Sequence, residues 1–140
     1  LDSRPPPAVV RGMSRHTHHC VIPKINRQLP RGRAGLLALE VAVEVAGAVQ
    51  ALRMPRGLSH LRDHLVRAAD NTALRLSEAS GRTLGNRYQH LEAAYAENQE
   101  VQSDLMLLGG RGVDVPLAVL RQADRLGGMI YGLLRAEVRG

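Results

Sequence analysis

From residue 61 to residue 108 small and branched apolar residues recur every three or four positions, and the pattern is broken in one place, around Gly81. Leu61, Leu65, Ala68, Thr72, Leu76 and Ala79 form one seam, and Leu91, Ala94, Asn98, Val101, Leu105 and Leu108 form the next. That period is the signature of amphipathic helices, each with one face turned to a core. Helix, glycine turn and helix predict an antiparallel hairpin on which the rest of the chain packs. What fills the core is restricted too, because the 140 residues include no Phe, no Trp and only three Tyr, at 88, 95 and 131. A core of Leu, Val and Ala fills space when helices approach closely. One domain is expected at this length.

Two more segments complete the expected bundle. Residues 34–53 alternate Leu or Val with Ala or Glu from Leu37 to Val45, a strand-like period. Their length, their alanines and a stripe of Leu37, Val41, Val45, Ala48 and Leu52 favour a helix. Met54-Pro55-Arg56-Gly57 ends it, since proline disfavours helix in the residue before it. The second helix is expected over residues 59–80, with Ser59 as N-cap and Gly81 as the C′ residue. The third is expected over about 86–108, closed by Gly109-Gly110-Arg111-Gly112. The fourth is expected to be capped by Asp114 and to run to about Val138, burying Leu120, Ala123, Gly127, Ile130 and Leu134. Four helices with short loops predict an all-α, up-down-up-down antiparallel four-helix bundle over residues 34–140. Gly127 and Gly128 inside the last helix point to a close helix approach, within the bundle or between subunits.

Residues 1–33 differ in kind. Five prolines and no sustained apolar period mark a disordered, basic, Pro-rich tail. The tail holds seven cations against Asp2, whereas residues 34–140 hold twelve arginines and twelve acids. All of the net charge of +6 therefore belongs to the tail. An electrostatic footprint on nucleic acid would come from Arg27, Arg31 and Arg33, or from a segregated face such as Arg62, Arg67, Arg75 and Arg82. Met13, the sole methionine of the tail, is an expected native start. The absence of an apolar signal core and of a run of about 18 apolar residues leads to the expectation of a soluble, cytoplasmic protein with no membrane partner. The single Cys20 leaves no internal disulfide.

Catalytic and metal motifs are weak. His16-Thr17-His18-His19-Cys20 crowds four potential ligands into one tail segment, but metal sites draw ligands from separated elements. His60 and His64 stand at i, i+4, the spacing of helical zinc sites. With Leu61 and Leu65 owning the buried side, both histidines are expected toward solvent, without a third ligand. No Glu has a His three residues later, as di-iron bundles require, and no nucleophile–base pair emerges. No catalytic residue, cofactor or metal is expected. Glu78 and Arg82, at i, i+4, form either a local ion pair or, with Arg67, a contact to a neighbouring subunit or a ligand. Asn98, in an apolar seam, is either a satisfied buried amide or a device that sets register or oligomeric state. The tyrosines occupy core-like positions, so base stacking would contribute little.

The run HLVRAADNTALRLSEASGR, residues 64–82, resembles the signature of a bacterial four-helix bundle family labelled S23 ribosomal protein-like. That family includes proteins encoded in intervening sequences of large-subunit rRNA genes and the accessory variability determinant of diversity-generating retroelements. Leu65, Arg67, Ala68, Ala69, Glu78, Gly81 and Arg82 stand at matching positions, and the likeness extends over residues 34–138. Ala73, Arg75, Ala79 and Glu97 depart from it, in place of a proline, an asparagine and two glycines. The lost proline predicts a straighter second helix. The resemblance implies a non-enzymatic protein, assembled as a pentameric ring, that associates with RNA or DNA and with a protein such as a reverse transcriptase. The neutral body keeps an alternative open, a protein-interaction bundle with no nucleic-acid role.

Overall fold

The computed structural model describes residues 33–81 and 84–139, and every regular element among them is helical. The predicted tail, with Arg27, Arg31 and the His/Cys run, lies outside the described residues, as does Arg82. The elements are α1 (Arg33–Gln50), a short 3-10 turn (Arg56–Leu58), α2 (Ser59–Ser80), α3 (Leu84–Gly110) and α4 (Leu117–Arg139). In contacts, α1 touches α2 and α4, α2 touches α3, and α3 touches α4, which closes a ring of four helices around one core.

The strand-like alternation of α1 is overruled by burial. Ala38, Leu39, Val41, Ala42, Val45 and Val49 are all buried, a wide arc that only a helix brings to one side. Leu37, expected in the stripe, is 42% exposed. Each four-residue step overshoots a full turn by about 40°, so a stripe of such steps drifts around the helix and leaves its first member off the core face. The C-terminal carbonyl of α1 is met from outside: the Arg62 guanidinium donates to the Gln50 oxygen at 2.8 Å. A cation at a helix C-terminus satisfies both the orphan acceptor and the dipole.

The seam of α2 is buried as expected at Leu65, Ala68, Ala69, Thr72, Leu76 and Ala79. The hydroxyl of Thr72 donates to the Ala68 carbonyl at 2.9 Å, so the one polar residue of that seam is satisfied locally. The helix runs unbroken through Ala73.

The capping expectations require three corrections. Ser59 is not the N-cap: Leu58 takes that position, and the N–H of Ser59 already donates to the Arg56 carbonyl of the 3-10 turn. Gly81 sits at the C-cap with φ −104°, so no left-handed residue is needed there. The left-handed glycine is Gly112, with φ 89°. Around it Val113 N–H donates to the Leu108 carbonyl at 3.0 Å and Gly112 N–H to the Gly109 carbonyl at 3.1 Å. That pair of bonds is a Schellman closure, which lets α3 run through Gly109 and Gly110 before it ends. The start of α4 likewise moves from Asp114 to Pro116, whose carbonyl accepts from the N–H groups of Val119 and Leu120.

In α4 the buried set is Val119, Ala123, Leu126, Gly127 and Ile130, while Leu120 and Leu134 are half-buried. Among the described residues no helix is long and apolar enough to cross a membrane. Truncating the fully buried Leu126 to Ala is expected to lower unfolding free energy by about 2–5 kcal/mol. Leu74→Gln, at a position 59% exposed, should change it by less than about 0.5 kcal/mol. Urea denaturation measures both.

Candidate functional site

α3 carries polar side chains into both of its seams. Toward α4, the amide nitrogens of Asn98 and Gln102 donate to the same acceptor, the Ala123 carbonyl, at 3.0 and 2.9 Å. A helical carbonyl is normally screened by the side chain four residues on. Here that residue is Gly127, and a Cβ placed on it would lie 3.1 Å from the Asn98 amide nitrogen and 3.2 Å from that of Gln102. Gly127 thus uncovers the carbonyl, and the two amides fix how far α3 can slide along α4. Asn98 is wholly buried and spends its amide inside the chain, while its Oδ1 has no partner. A Cβ placed on Gly128 would meet no atom within 4 Å, so of the two approaches expected for the glycine pair, within the bundle or between subunits, Gly128 does not serve the first.

Toward α2, the Nδ1 of His64 lies 2.6 Å from an oxygen of Asp104, a carboxylate only 4% exposed. Its Nε2 lies 3.6 Å from a Glu100 oxygen. The expectation that both histidines face solvent is therefore incomplete. The His64 ring is 47% exposed, yet it is tied to the next helix. The hydrogen bond and the charge of Asp104 hold its pKa above 6.5, with a further push from Glu100 against the opposing effects of desolvation and Arg67. His60 is exposed, and among the described residues no three His, Cys, Asp or Glu side chains are grouped to hold a metal ion.

The arginines of α2 do not act as one set. Arg62 caps α1. Arg67 is exposed beside His64, and about 140° of helical arc separates it from Arg62. Arg75 lies 3.5 Å from Glu78 and 3.4 Å from His90, and Glu78 also lies 3.3 Å from His90. Glu78 is thus met by Arg75 and His90 at a surface where such pairs contribute tenths of a kcal/mol. Arg33 opens α1.

The tyrosines correct another expectation. All three border the seam of α3 with α4, but Tyr131 is 51% exposed rather than core-like. Its ring centroid is 6.1 Å from that of Tyr95, and the Arg135 guanidinium lies over the Tyr131 ring, 5.8 Å from its centroid. A hollow beside it is lined by Tyr88, Leu134 and Val138. Across the same seam Arg87 meets Glu137 at 3.4 Å. A second exposed apolar feature lies at the end of α3, where Met106 and Leu107, 74% and 47% exposed, border a shallow hollow with Ser103 and Gly110. The pairs across helices, 40 residues apart for His64 and Asp104, left no mark in the sequence.

No protein-family model matches the chain, and no curated protein and no solved structure matches it.

Gly127→Ala is expected to destabilise the protein by about 1 kcal/mol, because the crowded amides outweigh the better helix propensity. Gly128→Ala, at an open position, should stabilise it by up to about 1 kcal/mol. Thermal unfolding of the two variants should move in opposite directions. His64 has its pKa raised by folding, so its contribution is complete below about pH 6.5 and is lost as pH rises through the higher folded value. His64→Gln should flatten the pH dependence of stability above about pH 6.5, read from urea midpoints.

Proposed function

We propose that this chain is an up-down-up-down antiparallel four-helix bundle that acts, without chemistry of its own, as a self-associating adaptor for nucleic acid or a nucleic-acid enzyme such as a reverse transcriptase. The antiparallel reading is supported by which ends meet. His64, early in α2, meets Asp104, late in α3, and Arg75, late in α2, meets His90, early in α3. Arg87, early in α3, likewise meets Glu137, late in α4.

The observation that carries self-association is the exposed pair Met106 and Leu107 at the end of α3. Adjacent large apolar side chains around a hollow lose water favourably against a partner. A second copy of the chain is the partner of this proposal, and the family resemblance implies a five-membered ring. Nucleic acid would be held by the basic tail of residues 1–33, where Arg27, Arg31 and Arg33 concentrate net charge that residues 34–140 lack.

The alternative, a protein-interaction bundle with no nucleic-acid role, draws its support from the balanced charge of residues 34–140 and from the internal use of Arg62 and Arg75.

Sedimentation of the full chain should give an oligomer, and Met106→Asp with Leu107→Asp should shift it toward monomer. A monomeric parent protein would refute self-association. In a gel shift, neutralising Arg27, Arg31 and Arg33 to Gln should weaken nucleic-acid binding and lower the salt slope by about 2 to 3. No binding by the parent protein at low salt would leave the alternative standing.

A further inference from the structure

The outward face of α4 is a cationic strip interrupted by a flat centre. Arg121, Arg125, Arg135 and Arg139 are all exposed, as are Gly128 and Gly132 between them. At 100° per residue these six positions fall within about 80° of arc, so they share one side of the helix. The pairs stand at i, i+4 and repeat after fourteen residues, which puts their midpoints about 21 Å apart along the axis. None of the ion pairs or hydrogen bonds found among the described residues involves Arg121, Arg125 or Arg139. The acids near this face are few. Asp124 is exposed at its edge, Glu137 faces Arg87, and Glu44 accepts from Gln122 on the α1 flank.

We infer that this face of α4 docks an acidic helix of another protein. Charge selects the occupant. Two copies of this chain packed α4 on α4, parallel or antiparallel, would set guanidinium against guanidinium at both ends of the contact. A helix with carboxylates at the matching spacing would instead pair at both ends. Shape agrees, because a Cβ on Gly128 or Gly132 would meet no atom within 4 Å. The backbone there is open to a close axial approach, and neither glycine is required by packing inside the chain. Tyr131 and Val138, 51% and 70% exposed, add an apolar rim toward α3. The spacing of the arginines is symmetric about the glycines, so the partner helix fits in either direction. This inference is independent of self-association, which uses Met106 and Leu107 near the C-terminal end of α3.

The probe is a fluorescein-labelled Ala-rich helical peptide carrying Glu at positions 1, 5, 15 and 19 of the contact, the spacing of the arginines. Fluorescence anisotropy with the full-length protein should show binding that weakens with salt, and a Glu→Gln peptide should not bind. Arg121→Glu with Arg125→Glu should lower affinity about tenfold or more. Gly128→Leu with Gly132→Leu keeps every charge and improves helix propensity, yet should lower it similarly by filling the notch. Met106→Asp with Leu107→Asp, which tests the oligomer, should leave peptide binding unchanged. Failure of the peptide to bind, or binding indifferent to either pair of α4 substitutions, overturns the inference. So does a duplex DNA that binds in place of the peptide, is lost on arginine reversal and is unaffected by Gly→Leu, because phosphate contact needs the charge and not the notch.

Discussion

The bare carbonyl of Ala123 is the point on which the α3–α4 seam turns. Hydrophobic packing of Leu, Val and Ala is forgiving, because side chains of similar size exchange places at small cost. A core with no Phe or Trp has no large ring to fix which residue of one helix faces which residue of the next. Asn98 and Gln102 supply that fixing here. Both amides must reach one acceptor, and only the absence of a side chain at Gly127 lets them. Sliding α3 by one turn would leave at most one of the two amides on that carbonyl, at a cost on the order of 1–3 kcal/mol. The Ala-rich seam supplies the adhesion, and this polar contact supplies the register.

The opposite seam of α3 uses a different device for the same end. Asp104 is nearly fully buried, and the imidazole of His64 answers it from α2. A half-exposed ring thus donates from Nδ1 to a buried carboxylate. The strength of that bond varies with pH in the range where histidine titrates. The two seams of α3 differ accordingly: the amide contact is insensitive to pH, and the His64–Asp104 contact is not.

Charge has been divided by position as well as by sign. Several cations are consumed within the fold, with Arg62 on the end of α1, Arg75 with Glu78, and Arg87 with Glu137. The arginines of α4 are aimed outward. A balanced total over residues 34–140 therefore conceals a segregated surface, and the sum alone misdescribes what a partner would meet. The same holds for the tyrosines. Their spacing reads as core, yet Tyr131 lies half-exposed at the edge of the α3–α4 seam, with its ring near Tyr95 and under the Arg135 guanidinium.

The repeat of apolar residues in α2 and α3 determined two helices and their buried seams nearly residue by residue, because a 3.6-residue period maps directly onto one helical face. It also placed Asn98 inside and predicted the number of helices. The ends were less legible. Ser59 and Asp114 are good capping residues by type, but Leu58 and Pro116 precede the first residues of α2 and α4, while Gly81 does close α2, as its C-cap, and Gly112 closes α3. Stripes built by counting fours drifted off the core, as at Leu37. What only the tertiary structure decided is which distant polar groups meet. His64 with Asp104 and Asn98 with Ala123 join residues that no local pattern relates, and the side of α4 left exposed follows from how α1 and α3 cover it. Periodicity is a property of one helix and is written in the sequence; register and exposed faces are properties of pairs of helices, and arise when they pack.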